Sequence, residues 1–155
     1  MPRYIQMLGE DQLPEGPRRD LVARLQDYYE KAGLRPVQEI SAKCQELTEK
    51  DERLRGTASR ETVRRMLNGS SVLTSVPHWE NVELVYRALC DFAGQDPDAS
   101  YEWHHGYDSG TAKYLDDLRE AWSAARKAPP VEPQKPQSGG WGTLADPWRN
   151  GEPPF

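Results

Sequence analysis

Apolar residues recur along this chain in steps of three and four, interrupted by glycine and proline, and that rhythm predicts helices. Leu21, Val22, Leu25, Tyr28, Tyr29 and Ala32 form the first stripe. Gly16-Pro17 opens it, with proline suited to the first helical position, and Gly33 closes it. Pro36 opens a second helix, carried by Val37, Ile40, Cys44 and Leu47. The third is short and lies in TASRETVRRMLNG, Thr57 to Gly69. Ser59 caps its start, Val63, Met66 and Leu67 make its apolar side, and Asn68-Gly69 ends it. Pro77 and Trp79 begin a fourth helix, in which Val82, Val85, Tyr86, Leu89 and Phe92 share a face and Gly94 is the stop. A fifth, capped by Thr111, carries Tyr114, Leu115, Leu118, Trp122 and Ala125 and ends at Pro129-Pro130.

The segments between these stripes differ in character. TEKDERLRG, Thr48 to Gly56, is almost wholly charged and either extends the second helix or forms a solvated loop. Residues 95–110 read as a polar, aromatic linker, with Tyr101, Trp103 and Tyr107 free to pack. Residues 1–15 form an irregular arm, and its Tyr4, Ile5, Met7 and Leu8 are expected to lie on the body. From Pro129 the composition turns to proline and glycine, which predicts a disordered tail over 129–155. The expected fold is all-α: a compact five-helix bundle over residues 16–128. Its core should hold Leu21, Leu25, Tyr28, Ile40, Cys44, Leu47, Val63, Leu67, Val82, Val85, Leu89, Leu118 and Trp122, with Trp79 closing the junction of the third and fourth helices.

The 155 residues suffice for one domain with tails. A net charge of −5 argues against coating a long nucleic acid but leaves room for a local basic patch. Cys44 and Cys90 follow no metal spacing and fall on apolar stripes, so both are expected to be buried free thiols. No apolar run is long enough to span a bilayer, and the first residues lack a signal-peptide core. The expected location is the cytosol.

With its apolar side turned inward, the third helix offers Arg60, Glu61, Arg64, Arg65 and Asn68 outward. A helix fits the DNA major groove, where arginine pairs with guanine and asparagine with adenine through two hydrogen bonds each. Hydroxyls and free N–H groups at a helix start hold phosphates. Ser59, Arg60 and Thr62 are therefore candidates for the DNA-proximal end, and Arg64, Arg65 and Asn68 for contacts along the groove or backbone. The competing reading is a small packed helix with solvated arginines. Glu61 sits near the middle of the outward face and repels phosphate. Nearby Glu49, Asp51 and Glu52 are offset only in part by Arg53 and Arg55.

Three stretches taken together, RDLVARLQDYYEKAGLRPVQEISAKC, SRETVRRMLNG and VPHWENVELVYRALCDFAGQDPD, resemble a known family. It is the phage-repressor-type helix-turn-helix domain of bacterial transcriptional regulators, in a helical variant common in high-GC bacteria. The resemblance rests on Thr62-Val63, Met66-Leu67, Gly69, Trp79, Asn81-Val82-Glu83, Val85, Ala88-Leu89 and Trp122, and covers roughly residues 18–128. It implies double-stranded DNA as partner and the helix 59–68 as the reading element. One departure is visible: the family's tight turn between helices two and three is replaced here by the polar stretch 48–58.

The segment 141–155 carries Trp141, Leu144, Trp148 and Phe155 after a flexible spacer. Aromatic anchors of this kind suit a docking peptide, for a protein partner, for a second copy, or for the chain's own body. His104-His105 with Glu102 and Asp108 reads as a surface linker, because adjacent histidines diverge and a third ligand is not in register, so no metal or cofactor is expected. A Cys–His dyad can be imagined, but both cysteines lie on core-facing stripes and nothing marks an oxyanion hole, so no catalytic residues are expected. The sequence thus predicts a cytosolic, homo-oligomeric DNA-binding regulator. The alternative is a non-enzymatic adaptor that uses the helical body and the aromatic segment to hold protein partners.

Overall fold

The computed structural model describes residues 4–131. These residues form α1 (Pro17–Lys31), α2 (Val37–Lys50), α3 (Arg60–Asn68), α4 (Trp79–Ala93) and α5 (Tyr114–Lys127). Between α4 and α5 lies a two-stranded antiparallel sheet, β1 (Ser100–His105) and β2 (Asp108–Lys113). The expected helices are present, but the all-α expectation fails over 100–113.

The central element is α4. Val82, Leu84, Val85, Tyr86, Ala88, Leu89 and Cys90 are all buried, so most of its circumference faces protein and the Glu80, Glu83, Arg87 and Asp91 stripe meets solvent. α1 and α2 pack on it, and α5 lies chiefly along α1. The Tyr28 ring meets Tyr86 edge-on at 4.9 Å between centroids. Most of the expected core is buried as a single cluster, but Leu47 and Trp122 are only partly covered. Both thiols are buried, and desolvation pushes Cys44 up to about 12 and Cys90 up to about 11, which keeps them protonated. Trp79 packs against Trp122 with ring centroids 5.7 Å apart and planes tilted by 55°, and the Trp122 indole N–H donates to the Pro77 carbonyl at 2.8 Å. Trp79 therefore ties α4 to α5, whereas the sequence suggested the junction of the third and fourth helices.

The segment expected to be a linker folds because its residues alternate and its turn suits a hairpin. His105 pairs with Asp108, leaving Gly106-Tyr107 as a two-residue loop. Gly106 has φ +63° and Tyr107 is not among the residues of positive φ, the combination a type II′ turn requires. Trp103 faces Gly110 across the ribbon, so close that a Cβ there would lie 2.8 Å from the indole. Thr111 lies inside β2 and does not cap α5, which starts at Tyr114 after Lys113. The hairpin is anchored at its base: the Tyr86 hydroxyl donates to the Pro97 carbonyl at 2.8 Å, Arg87 pairs with Asp98 at 3.1 Å, and Tyr101 stacks on Tyr114 and bonds Asp117. Its tip is solvent, with Tyr107 fully exposed.

Both ends of the described chain belong to the body. Leu13 of the arm is fully buried and fills the space above Gly69, whose φ is +97° and whose missing Cβ would lie 2.7 Å from the Leu13 methyl. Buried Arg18 donates to the carbonyls of Val72 and Ala128, and the Val131 N–H donates to the Leu73 carbonyl at 2.8 Å. The tail boundary expected at Pro129 therefore falls too early, because Val131 is still hydrogen-bonded to the domain. Among the described residues no helix is long and apolar enough to cross a membrane.

Candidate nucleic-acid interface

A nine-residue helix is marginal by itself, since nucleation is costly and few bonds repay it. α3 forms because its ends are capped and one side is buried. The Ser59 hydroxyl accepts the Thr62 N–H at 3.1 Å, and Gly69 takes the left-handed conformation that ends the helix. Val63, Met66 and Leu67 are buried, each contributing about 1.5–3 kcal/mol of transfer free energy. That sum exceeds anything helix propensity supplies over so short a run, so packing holds α3 in place.

The opposite side carries the sequence-derived candidates. Arg60, Glu61, Arg64 and Arg65 are exposed, while Thr62 and Asn68 are half-buried. Their roles differ. Arg64 Nε donates to Glu61 Oε1 at 3.0 Å, with a second bond from the guanidinium to Oε2. That hydrogen bond holds the Glu61 carboxyl below the usual carboxylate range. Arg65 reaches the Ser70 hydroxyl only at 3.4 Å. Arg60 has no hydrogen-bond or ion-pair partner among the described residues. The Ser59 and Thr62 hydroxyls are hydrogen-bonded to each other at 3.0 Å, and either can be the donor. Asn68 is occupied: its side-chain oxygen accepts the Ser70 N–H at 2.7 Å and its carbonyl accepts the Leu8 N–H at 2.8 Å. It shapes the turn after α3, which weakens its candidacy as a base-reading residue. The local acid is Glu61, from within the helix. In the neighbouring loop Asp51 is engaged by Arg53 through paired bonds near 3.0 Å.

Beside the start of α3 lies a cleft of about 300 Å³, lined by the hydroxyl residues Ser59, Thr62, Ser71, Thr74 and Ser75 together with Arg65 and the carboxylate residue Glu61. The Ser71 hydroxyl oxygen is buried there without a hydrogen-bond partner. Hydroxyls, a guanidinium and a helix start suit an anionic oxygen, while the Glu61 carboxylate, paired with Arg64, opposes one.

The connection into α3 is long. Residues 51–59 leave the end of α2 and run back along it, until Ser41 Oγ donates to the Ala58 carbonyl at 2.7 Å. The Thr57 N–H donates to Asn81 Oδ1 at 2.9 Å, and Gly56 passes so near α4 that a Cβ would sit 2.7 Å from the Glu80 carbonyl carbon. Nine residue steps lead from Ser41 to Lys50, so the chain entering α3 lies about 13 Å back from the end of α2 at 1.5 Å per residue. A tight turn would start it at that end. The hairpin leaves the far end of α4, whereas residues 56 and 57 meet its start, so ribbon and α3 are separated by the length of that helix.

Sequence reasoning missed the hydroxyl cleft, although Ser70, Ser71, Thr74 and Ser75 form an evident cluster after Gly69. The docking candidates Trp141, Leu144, Trp148 and Phe155 lie outside the described residues. The chain matches no protein-family model, no curated protein and no solved structure.

Proposed function

We propose that this protein is a cytosolic DNA-binding transcriptional regulator of helix-turn-helix type that engages double-stranded DNA through the outward side of α3. The observation that carries the reading is the Ser59-capped helix with Arg60, Arg64 and Arg65 all exposed on one side, next to a cleft of hydroxyls. Arg60 and Arg65 meet phosphate or guanine, Ser59 and Thr62 hold a phosphate at the helix start, and Arg64 joins them when it exchanges Glu61 for the polyanion. A helix of nine residues reaches few bases, so the protein acts as a homo-oligomer on repeated half-sites.

The test is binding to random duplexes at two salt concentrations, by fluorescence anisotropy, for the full chain and for a variant with Arg64→Ala and Arg65→Ala. Each arginine–phosphate pair that the variant removes should lower the slope of log affinity against log salt by roughly 1. An unchanged affinity and slope would overturn the assignment of this face.

A second reading is a non-enzymatic adaptor that binds protein partners. It is favoured by the recessed start of α3 along α2 and by the engagement of Asn68 in its own turn. In that case duplex binding is absent, and self-association or partner capture depends on residues beyond Val131.

A further inference from the structure

A second concavity, of about 410 Å³, opens on the other flank of α3. Ile5, Tyr29, Pro36 and Val37 supply its apolar lining, and Arg64 and Asn68 stand on its α3 side. Of the four pieces of chain that bound it, the arm, α1 and α3 are locked together. The Ile5 N–H donates to the Tyr29 hydroxyl at 3.1 Å, and Gln26 bridges the carbonyls of Ile5 and Leu67 at 3.2 and 2.6 Å. The cleft is therefore preformed, which lowers the ordering cost of filling it.

The described chain ends on the segment that follows α3. Val131 is hydrogen-bonded to Leu73, five residues after Asn68. From Val131 ten residue steps lead to Trp141, a reach of about 35 Å when extended. The 24 residues that follow Val131 include Trp141, Trp148 and Phe155, three large apolar groups among prolines that favour extended chain. Asp146 and Glu152 lie on either side of Trp148, with Arg149 between them, and give the segment carboxylates complementary to the guanidinium of Arg64, which would exchange the exposed Glu61 for one of them. We infer that the cleft between the arm, α1, α2 and α3 is the receptor for this chain's own segment 141–155, with Trp148 against Ile5, Pro36 and Val37 and an adjacent carboxylate on Arg64. A docked segment covers Arg64 and so competes with any polyanion on that side of α3. The cleft and its occupant do not depend on the DNA reading.

The test uses the full chain labelled with fluorotryptophan, without DNA. Fluorine NMR resolves the five indoles, each assigned by a Trp→Phe substitution. The Trp148 resonance should sit away from the solvent-exposed position, and Val37→Arg, at the half-buried rim, should return it there while Trp79 and Trp122 stay put. Should Val37→Arg disturb Trp79 or Trp122, Arg64→Glu replaces it, acting on the exposed rim alone. A Trp148 resonance already at the exposed position, or one insensitive to the rim variant that leaves Trp79 and Trp122 in place, would overturn the inference. A shift that fades on dilution would overturn its intramolecular form. Failure of the DNA reading would instead show only in the anisotropy measurement.

Discussion

Glu61→Gln separates an arginine helix that meets DNA from one that is merely solvated. The carboxylate holds Arg64 through two bonds, the Nε contact being 3.0 Å. The two side chains are 62% and 49% exposed, so solvent screens the pair and its loss should leave the melting temperature essentially where it was. Glutamine keeps the shape and the helix position while removing a negative charge from the face proposed to approach phosphate. Two effects then add. Arg64 no longer has to give up a carboxylate when it meets phosphate, so the contact it makes in the parent costs less and the affinity rises. The repulsion between Glu61 and the nearest phosphate also disappears, which acts in the same direction and most strongly at low salt. The variant should bind random duplex several-fold more tightly at low salt, in the same anisotropy titration. A variant as stable as the parent but with unchanged affinity would refute the idea that this face meets a polyanion. Weaker binding would instead mean that Glu61 positions Arg64.

Gly56→Ala tests the recessed start of α3. The added methyl would meet backbone atoms of Glu80 and Asn81, which cannot rotate aside, so a loss of about 2 kcal/mol or more in chemical denaturation is expected, and a neutral result would contradict the close passage over α4. Acid should loosen the hairpin base before the core. Arg87 holds the Asp98 carboxyl below its usual range, so the unfolded chain takes up that proton first as pH falls. The contribution is complete above about pH 4, the ordinary aspartate value, and is lost as pH drops through the lower folded value. Amide exchange at Tyr114, whose N–H donates to the Ala99 carbonyl, should accelerate through that window and lose the dependence in Asp98→Asn. Exchange equally steep in both proteins would remove Asp98 from the account.

Local chemistry determined the helices. Pro17, Ser59, Gly69 and Gly94 act within one turn of the chain, and apolar steps of three and four mark an inward face whatever the partner is. The third helix, its cap and its arginine side were legible for that reason. The hairpin was readable in principle from Gly106-Tyr107 between alternating residues, but its polar, histidine-bearing strands offer little apolar signal. Tertiary structure alone decided what depends on distant partners. Leu13 is buried because Gly69 leaves room for its methyl, Trp79 finds Trp122, and Asn68 is claimed by Ser70 and Leu8. The path of residues 51–59 is of the same kind: charge marks them as solvated, yet only Ser41 and Asn81, which donate or accept across the fold, fix where α3 begins. Periodicity records which side of an element avoids water, whereas contacts between elements depend on where each one lies in space.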